Sequence, residues 1–115
     1  MSKIKLGIIG AGNITVKHLE VINDIEDLSV SGITSRTRGK AESIAAEFNI
    51  PSVCDSFEEL VEECQPDALL VLVSASEIFP LTRKVIPLGL PLFIEKPPGL
   101  SPEETRILAD ECSAH

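Results

Sequence analysis

Residues 4–9 are apolar apart from Lys5 and run directly into Gly10-Ala11-Gly12, after which the chain takes up a helical period. An uninterrupted apolar strand suits the middle of a parallel sheet covered on both faces rather than a half-exposed edge. Gly10 permits a tight turn, and Gly12 leaves no Cβ between the backbone and an approaching phosphate. Residues 13–25 then place Ile14, His18, Val21, Ile22 and Ile25 on one helical face, and the free N–H groups at that helix start, around Asn13 and Ile14, would face an anion. A glycine pair alone is an ordinary turn. Set between a buried strand and a helix start, it predicts a pyrophosphate cradle. The third position of the dinucleotide fingerprint, five residues after Gly10, holds Thr15 instead of Gly or Ala, so a branched side chain has to fit where helix packs on strand.

The same alternation continues along the chain. Residues 28–34 read as a second strand, and residues 37–48 as a helix with Ala41, Ile44, Ala45 and Phe48 on one face, stopped by a left-handed Asn49 before Pro51. A short strand at 52–54 follows. Ser56 and Glu59 have capping-box spacing and open a helix to Cys64 that Pro66 closes. Residues 68–73 form another fully buried strand. A helix at 77–86 is expected to hold Pro80 in its first turn and to end at Pro87 and Gly89, and residues 91–95 read as a fifth strand. Ser101-Pro102-Glu103-Glu104 announces a last helix to Cys112. Repeated β-α units of this kind predict a Rossmann-like, doubly wound parallel sheet in a three-layer α/β/α sandwich, with ligands at the carboxyl ends of the strands. The loops at 10–13, 35–38, 74–77 and 95–98 would gather there.

Composition narrows the partners. The chain has 115 residues, enough for one domain, with 10 Lys and Arg against 18 Asp and Glu, a net charge of −8, and Phe as its only aromatic type. No basic stripe or stacking platform serves nucleic acid, and no apolar run is long enough for a membrane span. Cys54, Cys64 and Cys112 are odd in number and lack C-x-x-C spacing, so they read as reduced thiols of a cytoplasmic protein rather than a disulfide framework or a metal site.

The second strand ends in Thr34-Ser35-Arg36-Thr37-Arg38, where NAD-binding domains of this type carry an acid for the adenosine ribose. An acid would repel a 2′-phosphate, whereas Ser35 can donate to it and Arg36, with Arg38 nearby, can face it as a fork of charged donors. The cofactor expected is therefore NADP(H) in preference to NAD(H).

Phe93-Ile94-Glu95-Lys96-Pro97-Pro98 is the second distinctive motif. With G-A-G-N-I after the first strand and S-R after the second, the chain resembles, over essentially its whole length, the N-terminal half of the glucose-fructose oxidoreductase / inositol dehydrogenase (Gfo/Idh/MocA) family. The resemblance implies a role for Lys96 beside nicotinamide and substrate, assisting proton transfer from the substrate hydroxyl, with Glu95 nearby. It also implies a cofactor contact from the loop after the fourth strand, here at Ser74. That loop departs from the family's T-P-x-x-x-H, since Val73, Ser74 and Ile78 stand for its Thr, Pro and His. Family members continue into a second domain that supplies the substrate pocket, a catalytic histidine and the oligomer interface. Neither His18 nor His115 stands in the place of that histidine.

Two functions are compatible with this reading. In the first, residues 1–115 are the NADP(H)-binding domain of an oxidoreductase that moves hydride between the nicotinamide and a hydroxyl-bearing carbon of a sugar, polyol or related small molecule, inactive without its substrate domain and a candidate homo-oligomer. The second is a stand-alone dinucleotide-binding sensor or assembly module without turnover. A bare domain of the first kind would self-associate through uncovered apolar surface.

Overall fold

In the computed structural model, residues 3–94 and 101–114 are described. The strands are β1 (Ile4–Ile9), β2 (Leu28–Thr34), β3 (Val53–Cys54), β4 (Ala68–Val71) and β5 (Leu92–Ile94). They form one parallel sheet in the order β3-β2-β1-β4-β5. The helices are α1 (Asn13–Ile22), α2 (Arg38–Phe48), α3 (Phe57–Cys64), α4 (Ala75–Val85) and α5 (Pro102–Ala114). This is the doubly wound Rossmann-like architecture that the β-α alternation predicts.

Strand pleating divides the core in two. Leu6 and Ile8 of β1, with Leu70 and Leu72, point to the face covered by α1 and α2, where Leu19, Ile22, Ala41, Ile44 and Ala45 meet them. Ile9, with Leu69 and Val71, points to the opposite face, against Leu60 of α3 and Val85 of α4. Adjacent residues of one strand are thus buried on opposite sides, which is why β1 and β4 lack polar alternation. Close approach of α3 depends on Gly32, where a Cβ would lie 2.5 Å from Leu60 Cδ1 and 2.6 Å from Cys64 Sγ. α5 packs against α4, buries Leu108, and joins it through Arg83 and Glu111 (Nη2 to Oε1, 2.7 Å).

Several expectations need correction. α1 ends at Ile22 rather than residue 25, because the chain tightens there into successive turns, with Asn23 N donating to Leu19 O and Ile25 N to Ile22 O, and then enters β2. Its buried stripe is Thr15, Leu19 and Ile22, while Val21 and Ile25 are exposed. Thr15 can be buried because its hydroxyl finds a local acceptor, described below. α4 begins at Ala75 after Ser74, so Pro80 sits in the helix interior instead of its first turn. Both Pro80 and Ser76, whose carbonyl loses its intrahelical donor, are exposed, so water can replace the missing bond. The box at α3 is altered too: Ser56 Oγ accepts from Glu59 N at 3.1 Å, but Glu59 Oε2 accepts from Asp55 N rather than from Ser56 N. Asn49 and Gly89 both adopt left-handed conformations, as helix stops do. The strand at 91–95 is described only as far as Ile94, so Glu95 and Lys96 lie outside the described residues.

Candidate dinucleotide site

β1 ends where its neighbours also end. Gly10 has φ +122° and donates its N–H to Thr34 O of β2 at 2.8 Å. On its other side a Cβ would stand 2.2 Å from Leu72 O, just beyond β4. Glycine is therefore required at position 10 by the packing of three strand ends. Gly12 differs: it is the N-cap residue of α1, and a Cβ there would meet no atom within 4 Å. The space beside it is open, and α1 has no side-chain cap competing for its leading amides. A pyrophosphate fits such a cradle, with room where a Cβ would intrude and N–H donors at the positive end of a helix. Thr15 supports the turn from below, fully buried, donating Oγ1–H to Gly10 O at 3.1 Å. A hydroxyl thus occupies the third fingerprint position without disrupting the fold.

The cradle opens into a cleft of about 790 Å³ across the carboxyl ends of β1, β2 and β4. Gly10, Gly12, Ile14, Ser35, Arg36 and Ser74 all line it. Asn13 and Arg38 do not belong to its wall. Arg38 instead hydrogen-bonds Asp55 and lies 3.9 Å from Glu42, and the hydrogen bond to Asp55 holds its guanidinium even further above its usual pKa. In the loop after β2, Ser35 Oγ accepts from Thr37 N at 3.2 Å. The Arg36 side chain, 85% exposed, reaches across to Glu77 at the start of α4, with Nη1 at 2.5 Å from Oε1. Ser74 Oγ donates to Glu77 Oε2 at 2.8 Å.

Three lining residues carry charge that the motifs do not reveal. Glu77 stands third in α4, and its spacing from Ser74 is the S-x-x-E signal used elsewhere in this chain. Lys40 lies in the first turn of α2, close in sequence to Arg36 and Thr37, and Lys84 lies two helical turns beyond Glu77. With Asp55, the cleft sets three cations against two carboxylates, a local basic balance in an acidic chain.

Among the described residues Cys54, Cys64 and Cys112 are free thiols, and no helix is long and apolar enough to cross a membrane.

Residues 4–115 match the Gfo/Idh/MocA model, described as an oxidoreductase family with an NAD-binding Rossmann fold. The chain belongs to this family. Among curated relatives, D-xylose 1-dehydrogenase (NADP(+)) 2 of Haloferax volcanii is 28% identical over 106 residues, covering 92% of this chain and 33% of the relative. D-glucoside 3-dehydrogenase of Escherichia coli is 26% identical over 110 residues, covering 95% and 31%. The solved structure of GenD2 from gentamicin A biosynthesis, in complex with NAD, superposes with a TM-score of 0.89 at 21% identity, covering 99% of this chain and 32% of that one. The chain therefore spans about a third of the length of the relatives it matches.

Proposed function

We propose that this chain is the part of a dehydrogenase that holds a nicotinamide dinucleotide, prefers NADP(H), and works with further protein to move hydride to or from a hydroxyl-bearing carbon of a sugar or polyol. The observation that carries the reading is the open space at Gly12, at the uncapped start of α1 and on the wall of the strand-end cleft. Family membership and the sugar dehydrogenases among its relatives support the reaction class. The preference for NADP(H) is supported by Ser35 in place of a ribose-binding acid and by Arg36 on the cleft wall.

In this reading the α1 amides bind the pyrophosphate, and Ser35 and Arg36 take the adenosine end. The nicotinamide, once bound, supplies the hydride-carrying carbon. Lys96 is assigned the proton of the substrate hydroxyl, where a cation stabilises developing negative charge on oxygen, with Glu95 as its neighbour. Calorimetric titration of the 115-residue chain with NADPH and with NADH tests the binding role. Saturable binding that is tighter for NADPH is expected, and the absence of binding for both would refute the reading.

A further inference from the structure

We propose that Glu77 is a specificity-determining residue of the cleft, which competes with a 2′-phosphate for Arg36 and so keeps NAD(H) within reach of a site otherwise built for NADP(H). The inference rests on the dinucleotide reading of the cleft and deepens it. Glu77 is the anchored member of the pair. It sits in the first turn of α4, where the helix start favours a carboxylate, with its own N–H donating to Ser74 O at 2.9 Å and its Oε2 accepting from Ser74 Oγ. Its side chain is 29% exposed against 85% for Arg36. Arg36 is the partner that can move.

A 2′-phosphate at the end of β2 can use the guanidinium fork only if Arg36 leaves Oε1 or shares it, and in either case a dianion comes to lie near a fixed carboxylate. A free 2′-hydroxyl meets no such repulsion. It can donate to Glu77 as it would to the acid that is absent at the end of β2. The other charged groups on the cleft wall, Lys40, Lys84 and Asp55, come from α2, α4 and the segment before α3 and are unchanged by this exchange. Opposed by Glu77, Arg36 yields a moderate preference; released, it yields a strong one.

The test compares the wild-type chain, Glu77→Gln, Arg36→Ala and the double variant by calorimetric titration with NADPH and NADH. Glutamine keeps an acceptor for Ser74 Oγ and removes the charge. Glu77→Gln is expected to tighten NADPH binding by roughly three- to tenfold, the scale of removing one exposed ion-pair competitor and its repulsion, without tightening NADH. In the Arg36→Ala background the same substitution should tighten NADPH clearly less, because only the direct repulsion between phosphate and carboxylate is left to relieve. If the wild-type chain binds both nucleotides and Glu77→Gln leaves the NADPH-to-NADH ratio unchanged, this inference alone is overturned, as it is by an equal gain in the Arg36→Ala background. Failure of the wild type to bind either nucleotide would overturn the dinucleotide reading and this inference with it. Thermal melting of each variant separates a loss of fold from a change in selectivity.

Discussion

Gly10 and Gly12 are two residues apart and need to be glycine for different reasons. At position 10 a side chain would collide with the Leu72 carbonyl and would have to adopt φ +122°, so Gly10→Ala is expected to destabilise the fold by about 3 kcal/mol or more, read as a lower urea midpoint. At position 12 the Cβ meets only open space, so Gly12→Ala should cost only about 0.5–1 kcal/mol, the scale of exchanging a helix N-cap residue, while strongly weakening dinucleotide binding. Equal stability losses for the two variants would show that the cradle is protein-packed rather than ligand-shaped. Arg36 belongs to the same scale. A charge-assisted hydrogen bond contributes roughly 1.5–3 kcal/mol, so Arg36→Ala should weaken NADPH about ten- to a hundredfold and NADH much less. Equal weakening of both would remove Arg36 from the 2′-phosphate role. Arg38, tied to Asp55 and Glu42, offers no comparable freedom.

α3 lies close over β1 and β2 because Gly7 and Gly32 leave room for Leu60, and this closeness buries Cys54 beside it. Burial first, and then Cys64, push the Cys54 thiol from an ordinary value of 9.0 up to about 11. A thiol held protonated in the fold but free to ionise when unfolded stabilises the native state fully below its unfolded pKa, and that contribution is lost as pH rises from 9.0 to about 11. The urea midpoint should therefore fall over that window more steeply in the wild type than in Cys54→Ala, and the exposed Cys112 should be alkylated well before Cys54. Parallel pH curves would refute the buried-thiol account. Strands were the most legible elements: β1 shows as an apolar run and β2 as a looser alternation with β-branched residues, and both fall on the residues expected, whereas the run at 68–73 is a strand only from Ala68 to Val71. Helix ends were less so: α1 gives way to successive turns after Ile22, and α4 starts at Ala75 with Pro80 in its interior. The face of α1 could not be read from apolar spacing once Thr15 took an acceptor from Gly10. Pro80 misplaced the start of α4, and with it went Glu77, although Ser74 and Glu77 carried the same box spacing that located α3. The glycine turn and the loop after β2 fall where the sequence puts them because their geometry is local; the ion pair that joins the β2 loop to α4 exists only in three dimensions.

At the scale of the whole molecule, the cleft lies where the strand order reverses, between β1, which runs on to β2 and β3, and β4, which runs on to β5. Loops diverge at such a switch point, leaving a crevice that no single element fills, which is why one wall comes from α1 and the β2 loop and the other from α4. The far end of the same sheet has a different consequence. Among the described residues β5 pairs only with β4, and Phe93 on β5 is 51% exposed while its ring meets His18 edge-on at 5.4 Å. A strand edge bearing an exposed aromatic ring favours pairing with another copy, but a net charge of −8 opposes it through repulsion that salt screens. Self-association should therefore be weak at low ionic strength and grow as salt is added, the reverse of an association held by ion pairs. In sedimentation velocity at about 0.02 M and about 0.5 M salt, where the Debye length falls from roughly 20 Å to roughly 4 Å, the wild type is expected to shift toward dimer. Phe93→Glu, which places a charge on the edge without touching the cleft, should remain monomeric at both. A wild-type chain that stays monomeric throughout would mean that the β5 edge is closed in solution, and the apolar-surface argument for self-association would fall.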